Sequence, residues 1–207
     1  MTDAVYGARA DILAKIRYAL ADHPEQAEIP RDYETSRDVG DLIDLADERI
    51  ADYKATVHRT EDLVATITEV LTARGRHRMI APADLPAEWR IPGIDWLLDD
   101  PHLDIDTMAG SDGVLTGCAA AIAETGTIIL DSGVAQGRRA LTLLPDYHLC
   151  VIRAEQIVGT VPEAIARVRP DRPITFVSGP SATSDIEFNR VEGVHGPRTL
   201  DVIIATR

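Results

Sequence analysis

The sequence predicts an α/β fold in which a mostly parallel sheet carries helices on both of its faces. From residue 78 to the end of the chain, short β-branched and aliphatic runs alternate with short helix-like segments, which is the pattern of a sheet built from βαβ units. Hydrophobic residues make up 45% of the chain but aromatic residues only 4%, so Ile, Leu, Val and Ala must build the core. A length of 207 residues fits one such domain with a helical appendage.

The first 75 residues are predicted to form a helical segment that packs on the α/β domain of residues 76–207. Apolar residues recur at helical spacing in three stretches, and each stretch is bounded by a capping residue, a proline or a glycine. The predicted helices cover residues 4–21, 41–57 and 60–75, with a polar connector between the first two.

Six strands are predicted in residues 76–207, with short helices between them. The strands are apolar runs, as is typical of buried parallel strands, and they cover residues 79–81, 113–117, 127–130, 148–152, 174–177 and 199–204. Helices are predicted at residues 119–123, 138–144 and 162–168, and a further short helix is expected after Gly179 and Pro180.

The charge balance argues against two classes of partner. Asp and Glu number 34 against 21 Lys and Arg, which gives a net charge of −13. Such a surface repels phosphate backbones and anionic lipid headgroups, so we expect neither a nucleic-acid partner nor membrane insertion. The first residues lack the pattern of a signal peptide, and no apolar run approaches the ~20 residues of a membrane span. We therefore expect a soluble, cytoplasmic protein.

The sequence indicates no cofactor and no metal site. Its two cysteines, Cys118 and Cys150, are far apart in sequence, and two thiols cannot hold an iron–sulfur cluster or a structural zinc unaided. Both lie in apolar, strand-like settings, so we expect them to be buried as small hydrophobic residues. No glycine-rich nucleotide motif follows a strand.

A hydroxyl-rich loop near the end of the chain is the first candidate site. It follows the predicted strand at 174–177 and leads into an expected helix start, where unpaired N–H groups and the helix dipole favour an anion. A capped helix with a solvated acidic face would use the same residues, and the pattern leaves this alternative open. The predicted anion site consists of Ser178, Gly179, Ser181, Thr183, Asp185, Glu187 and Arg198, with His195 beside it.

Two further loops are expected at the same edge of the sheet. Ligands of open α/β sheets bind outside the carboxyl ends of the strands, and residues 116–117 and 131–133 follow two such ends. Arg138 and Arg139 lie downstream of the second loop and add positive charge to the predicted anion site. If the three loops converge, they form a pocket that suits a small carboxylate or phosphate.

Glu124 and His195 are the candidate catalytic residues. Glu124 begins a Glu-Thr-Gly turn that loosely resembles the Glu-Asn-Gly turn of CoA-transferases, in which the carboxylate attacks an acyl group. A structural carboxylate that accepts nearby backbone N–H groups is the alternative. His195, between two loop glycines, is a candidate general base or a donor to an anion, and an ordinary loop histidine is its alternative.

Three motifs resemble the LUD-domain family of lactate-utilisation proteins. They are residues 178–187 together with Glu192-Gly-Val-His-Gly-Pro-Arg198, residues 115–130 with the sequence Leu-Thr-Gly-Cys-Ala-Ala-Ala-Ile-Ala-Glu-Thr-Gly-Thr-Ile-Ile-Leu, and Leu141-Thr-Leu-Leu-Pro-Asp-Tyr-His148. The match is long and ordered over residues 112–204 and much looser over residues 1–75. The resemblance implies a fold similar to the ribose-5-phosphate isomerase and CoA-transferase group.

The same resemblance implies a role in the oxidation of L-lactate to pyruvate by proteins that act together. Because this chain lacks the Cys-rich segments that relatives use for electron transfer, its implied role is that of an accessory subunit. Its implied partners are iron–sulfur subunits or a small organic anion. The alternatives are a free-standing isomerase- or CoA-transferase-like enzyme on a small phosphorylated or acyl substrate, and a purely structural interaction module. The sequence is also compatible with a homo-oligomer.

Overall fold

The computed structural model describes residues 3–21, 28–180, 182–183, 191–192 and 196–207. Its contacts divide the chain into two compact units, Met1–Glu34 and Thr35–Arg207. The first unit contains helix α1 (Asp3–Ala19), close to the helix predicted at residues 4–21. No helix in these described ranges is long and apolar enough to cross a membrane.

The second unit contains the α/β fold. Its elements in chain order are α2 (Leu42–Asp52), β1 (Thr56–Thr60), α3 (Leu63–Ala73), β2 (Arg78–Ala81), β3 (Asp95–Leu98), α4 (Ile105–Ala109), β4 (Gly113–Thr116), β5 (Ala120–Ile122), β6 (Thr127–Leu130), β7 (Tyr147–Arg153), β8 (Ile157–Val158), α5 (Val161–Arg167), β9 (Thr175–Val177), β10 (Ala182–Thr183), β11 (Val191–Glu192) and β12 (Thr199–Ala205). Short 3₁₀ turns occur at Ala87–Trp89, Arg139–Thr142 and Ala154–Gln156.

A parallel sheet forms the centre of this unit. Among the described residues it has six strands in the order β1-β12-β7-β4-β2-β3, and every neighbouring pair is parallel. Strands β12 and β7 are central, with Val202 opposite Cys150, and Cys150 is in turn opposite Thr116 of β4. The predicted α/β fold with a mostly parallel sheet is confirmed.

The two faces of this sheet are buried against different helices. Strand β7 shows this directly, because alternate side chains of a strand point to opposite faces. Cys150 and Ile152 belong to one buried cluster, whereas Leu149 and Val151 belong to another. Helix α2 contributes to the first cluster and helix α3 to the second. Helices therefore cover both faces, which explains why the strands read as continuous apolar runs.

A smaller, mixed sheet corrects two of the predicted elements. Its strands run in the order β8-β5-β6-β9 among the described residues. Residues 119–123 are predicted as a helix, but β5 lies there and pairs antiparallel with β6. The apolar, fully buried side chains of β5 suit a helix or a strand, so composition alone does not separate the two. The sequence predicts that β9 ends at the carboxyl edge of the parallel sheet. Instead, β9 belongs to the smaller sheet and pairs antiparallel with β6.

The region between residues 35 and 75 is part of the larger unit. Helix α2 begins at the cap Asp41, whose carboxylate accepts the N–H groups of Ile43 and Asp44. It ends before Lys54, which has a φ of 69°, and the chain then enters the edge strand β1. Val57, predicted on the helix, is in this strand and pairs with β12. The contacts thus group residues 35–75 with the rest of 35–207, whereas the sequence-based division is at residue 75.

The segment after β9 contains a small antiparallel pair. Strand β10 pairs with β11, so that Thr183 lies opposite Val191. The backbone at Ala182 and Thr183 is therefore extended and does not begin the helix predicted after Pro180. Residues 181, 184–190 and 193–195 lie outside the described residues.

Candidate functional site

A cleft of about 540 Å³ lies at the carboxyl ends of β4, β6 and β7. Gly117 directly follows β4, Asp131 directly follows β6, and Arg153 is the last residue of β7. Two of the three loops that the sequence places at this edge, 116–117 and 131–133, therefore do converge. The volume is within the range of about 300–1,000 Å³ that is usual for small-molecule sites.

Arginine is the dominant side chain around this cleft. Arg153, Arg167, Arg169 and Arg172 line it, and the carboxylates in its lining are those of Asp131 and Glu155. A cluster of this kind in a chain of net charge −13 focuses positive potential at one place on an acidic surface. We refer to this feature as the arginine cleft.

Three of the four arginines are held by specific contacts. The guanidinium of Arg153 lies 5.8 Å from the centroid of the Trp89 ring, in cation–π geometry. The Arg167 Nη1 donates to the carbonyl oxygen of Glu155 at 2.7 Å. Arg169 donates from Nε and Nη2 to the carboxylate of Asp171 at 3.1 and 2.9 Å. These contacts orient the guanidinium groups, and the charge of Arg169 is already partly balanced.

The loop after β6 forms one wall of the arginine cleft. The Asp131 side chain is buried and accepts the Gly133 N–H at 3.0 Å, while the Asp131 N–H donates to Gln136 Oε1 at 2.6 Å. Ser132 and Ala135 have φ values of 55° and 59°, a left-handed conformation that costs non-glycine residues energy and that recurs at functional sites. The loop is thus held in an unusual conformation by a buried carboxylate and an amide.

The described part of the hydroxyl-rich loop lies elsewhere. Ser178 Oγ is 2.9 Å from Thr127 Oγ1, and Gly179, with a φ of 128°, packs so closely on Tyr53 that an added Cβ would lie 3.3 Å from its ring. Neither residue is among those that line the arginine cleft. The remaining predicted residues, Ser181, Asp185, Glu187 and His195, and the side chain of Thr183, lie outside the described residues.

The other predicted arginines have neighbours of their own. Arg138 pairs with the buried carboxylate of Asp99, from Nε at 2.8 Å and from Nη2 at 3.0 Å, and also donates to the Leu103 carbonyl at 2.7 Å. Arg139 is exposed on the 3₁₀ turn. Arg198 is exposed, with its Nε 3.8 Å from Asp146 Oδ1. None of the three lines the arginine cleft.

Glu124 lies after β5 and forms an ion pair with Arg37. Its side chain is about one-third exposed and that of Arg37 about half exposed. The nearby Gly126 has a φ of 66°, and an added Cβ there would lie 2.7 Å from the backbone of Arg49. The glycine in this Glu-Thr-Gly turn is thus required by close contact with helix α2.

Sequence reasoning missed the four arginines of the cleft, because they come from strand β7, helix α5 and the segment that follows it. One signal was available, since Arg153, Arg167, Arg169 and Arg172 fall within one stretch of an otherwise acidic chain. Among the described residues, no group of three or more His, Cys, Asp or Glu side chains is placed to hold a metal ion.

The fold and the cleft define an α/β protein with a basic cleft at the carboxyl edge of a parallel sheet. The chain belongs to the LUD domain family, whose sequence model matches residues 44–205, and the resemblance seen in the sequence motifs is confirmed. It is 45% identical over 203 residues to "Lactate utilization protein C" of Deinococcus radiodurans, which is 95% of each chain. It is also 33% identical to "Lactate utilization protein C 1" of Bacillus mycoides over 118 residues, about half of each chain.

A solved structure shares the same fold. The crystal structure of a DUF162 family protein from Deinococcus radiodurans superposes with a TM-score of 0.69 at 42% sequence identity. The comparison covers 80% of this chain and 96% of that protein.

Proposed function

We propose that this protein is an accessory component of a lactate-utilisation system and that it binds a small organic carboxylate in the arginine cleft. The names of its relatives support the first part of this proposal. The arginine cleft is the single observation that supports the second part. With only two cysteines, the chain has too few thiolates for an iron–sulfur cluster of its own, so we assign electron transfer to cluster-bearing partner subunits.

The chemistry of the cleft suits a carboxylate. A guanidinium group presents a planar pair of N–H donors that matches a carboxylate in a bidentate geometry. Arg153 is oriented by Trp89 and Arg167 by the Glu155 carbonyl. Because these side chains are already ordered, ligand binding costs less conformational entropy. Since Asp171 already pairs with Arg169, we assign ligand binding to Arg153, Arg167 and Arg172.

The position of the cleft agrees with this assignment. Carboxyl ends of parallel strands are where open α/β sheets bind their ligands, and the arginine cleft lies at the ends of β4 and β7 in the parallel sheet. A three-carbon acid such as lactate or pyruvate fills only part of the 540 Å³ cleft. Water can occupy the remaining volume, and the cleft also has room for a larger organic acid.

The enzymatic alternative, with Glu124 as a nucleophile, has less support. The carboxylate of Glu124 is paired with Arg37, which stabilises its charge and lowers its tendency to attack an acyl group. The anion site predicted around Ser178 and Arg198 stays a second candidate for the location of the ligand, because most of its residues lie outside the described ranges.

Calorimetric titration with L-lactate, pyruvate and phosphate tests the proposal. One charge-assisted hydrogen bond contributes about 1.5–3 kcal/mol, so Arg153→Gln and Arg167→Gln should each weaken carboxylate binding by about tenfold to a hundredfold. Arg198→Gln is the matched control, since it removes an exposed arginine outside the cleft. If Arg198→Gln removes binding and the cleft variants do not, the ligand site is the C-terminal loop. If none of these anions binds the wild type, the carboxylate proposal fails.

A further inference from the structure

Two cysteines lie together beneath the arginine cleft. Cys150 of β7 is directly opposite Thr116 of β4, and Cys118 follows that threonine by two residues. The Cys150 Sγ lies 3.8 Å from the carbonyl oxygen of Gly117, the residue before Cys118, and both cysteines belong to the same buried cluster. Both are buried, as predicted, but they are neighbours in space, which their separation in the sequence does not reveal.

The two thiols differ in their access to the cleft. Cys118 is part of the cleft lining and is 3% exposed, whereas Cys150 is 0% exposed behind it. Gln156 positions Cys118, because its Nε2 donates to the Cys118 carbonyl at 2.6 Å and its Oε1 lies 3.6 Å from the Cys118 Sγ. A reagent in the cleft therefore meets Cys118 first.

The polar surroundings of Cys150 stabilise a thiolate. The Cys118 thiol, the His148 ring and the Thr116 hydroxyl lie beside its sulfur and outweigh the opposing effect of burial, so the pKa of Cys150 is lowered. The neighbouring Cys150 and burial together raise the pKa of Cys118. His148 is itself fixed by Thr116, with Nε2 and Oγ1 2.7 Å apart. Of the two thiols, Cys150 loses its proton first.

We propose that Cys118 and Cys150 form a redox-active dithiol at the floor of the arginine cleft, and that it reacts with small anionic disulfides by thiol–disulfide exchange. A purely structural pair of buried cysteines needs neither contact with an open cleft nor a histidine and a threonine at the inner sulfur. This inference goes beyond carboxylate binding and does not depend on it.

The exchange proceeds in two steps that balance. The Cys150 thiolate takes the proton of Cys118, and the Cys118 thiolate attacks one sulfur of the incoming disulfide. A mixed disulfide forms on Cys118, and the first thiolate leaves and takes the proton from Cys150. The Cys150 thiolate then attacks the Cys118 sulfur and releases the second thiolate, which takes from solvent the proton that Cys150 first gave up. The products are one internal disulfide and two small thiols, so the small disulfide is the oxidant and accepts both electrons.

The arginines indicate the class of disulfide. Arg153 and Arg172 line the same cleft as Cys118, so they attract a disulfide that carries carboxylates and disfavour one that carries only ammonium groups. The physical basis is the same positive potential that supports carboxylate binding, but the reacting group is different.

The test uses the folded, full-length protein and oxidised glutathione as the anionic probe. Reaction is stopped by alkylation, and the intact mass and the tryptic peptides are measured. We expect the wild type to lose two hydrogen atoms, to yield a peptide that links Cys118 to Cys150, and to recover both thiols with dithiothreitol. Cys150→Ser should form and retain one glutathione adduct on Cys118, more slowly than the first step of the wild type because the sulfur that takes the Cys118 proton is missing, whereas Cys118→Ser should remain unmodified. Arg153→Gln should slow the reaction with oxidised glutathione about threefold to tenfold but not the reaction with neutral 2-hydroxyethyl disulfide.

Three outcomes would overturn the proposal. The first is that both thiols of the folded wild type stay unmodified and react only in urea. The second is that the wild type accumulates glutathione adducts without an internal disulfide, and the third is that disulfides form only between molecules. If a serine variant does not fold, the cross-linked peptide from the wild type decides the question alone. A dithiol that reacts in a protein that binds no carboxylate would leave this inference standing while the proposed function fails.

Discussion

Arg138 donates from Nε and Nη2 to the two oxygens of the Asp99 carboxylate, at 2.8 and 3.0 Å. Asp99 is 7% exposed and also accepts the N–H of Leu103 at 2.8 Å. The pair therefore ties the loop after β3 to the 3₁₀ turn that precedes β7. Arg138 has a structural role, whatever further part it takes in binding.

We predict that Asp99→Asn lowers the free energy of unfolding by about 1–3 kcal/mol at neutral pH, because it weakens a buried charge-assisted pair. Burial alone would raise the pKa of Asp99, but the hydrogen bonds from Arg138 and Leu103 outweigh it and hold this pKa below its usual value. The stabilisation is therefore present above the unfolded-state pKa of about 3.9 and is lost as the pH falls through the folded-state pKa. Urea unfolding over a pH series should show the difference between wild type and variant shrinking in acid. Asp84→Asn, at an exposed site, is the control, and an equal loss in both variants would contradict the assignment.

The fully buried Asp201 gives a second stability prediction. Its carboxylate accepts Arg74 Nε at 2.9 Å, Arg74 Nη2 at 2.7 Å and the Tyr147 hydroxyl at 2.9 Å, and it is 0% exposed. Arg74→Met leaves this charge without its cation, so we expect a loss of about 3–5 kcal/mol in urea unfolding. Tyr147→Phe removes one hydrogen bond and should cost about 1.5–3 kcal/mol. A smaller effect for Arg74→Met than for Tyr147→Phe would show that the ion pair does not stabilise this strand.

Glu124 gives a prediction that separates a structural role from a catalytic one. Its pair with Arg37 is substantially exposed, so Glu124→Gln should change the free energy of unfolding by less than about 1 kcal/mol. Incubation of the wild type with an acyl-CoA should leave no acyl group on Glu124, as measured by mass spectrometry before and after hydroxylamine treatment. An adduct at this residue would favour the CoA-transferase-like alternative instead.

The proposed role as an accessory component predicts the composition of its complex. Protein purified alone should be colourless and hold no stoichiometric iron or sulfide. Purification of a tagged chain from cells that grow on lactate should bring down proteins with visible iron–sulfur absorption. Recovery of the chain without such proteins, from cells in which lactate oxidation is active, would count against the subunit role.

Four strands of the central sheet, β2, β4, β7 and β12, could be predicted from local patterns, whereas no strand is predicted at β3 and part of β1 lies in a predicted helix. Strands β7 and β12 are buried on both faces, so their sequences are continuous apolar runs that few other elements produce. The sequence predicts a helix at β5 because Ala120–Ile122 is short and entirely apolar, so it shows neither a helical nor a strand period. The antiparallel pairing of β9 with β6 could not be predicted, because the sequence of a strand does not show which strand it pairs with.

The candidate site was only partly predictable. The sequence predicts a ligand site near loops 116–117 and 131–133 because both follow strand ends, where open α/β sheets bind ligands. Residues of both loops line the arginine cleft. The contacts of Arg153 with Trp89 and of Cys118 with Cys150 join segments that are distant in sequence, so no local pattern contains them. The sequence predicts the anion site at the hydroxyl-rich loop. Among the described residues, however, four arginines cluster around the arginine cleft.

The most direct test of carboxylate binding in the arginine cleft is an NMR titration of isotopically labelled protein with pyruvate. We predict that the Nε–H signals of Arg153, Arg167 and Arg172 and the indole signal of Trp89 shift together and saturate at one common affinity. The Arg138 signal serves as an internal control and should stay in place, because Asp99 already occupies its donors. Shifts confined to the amides of residues 178–180 and 196–198, with the arginine cleft unaffected, would contradict the account.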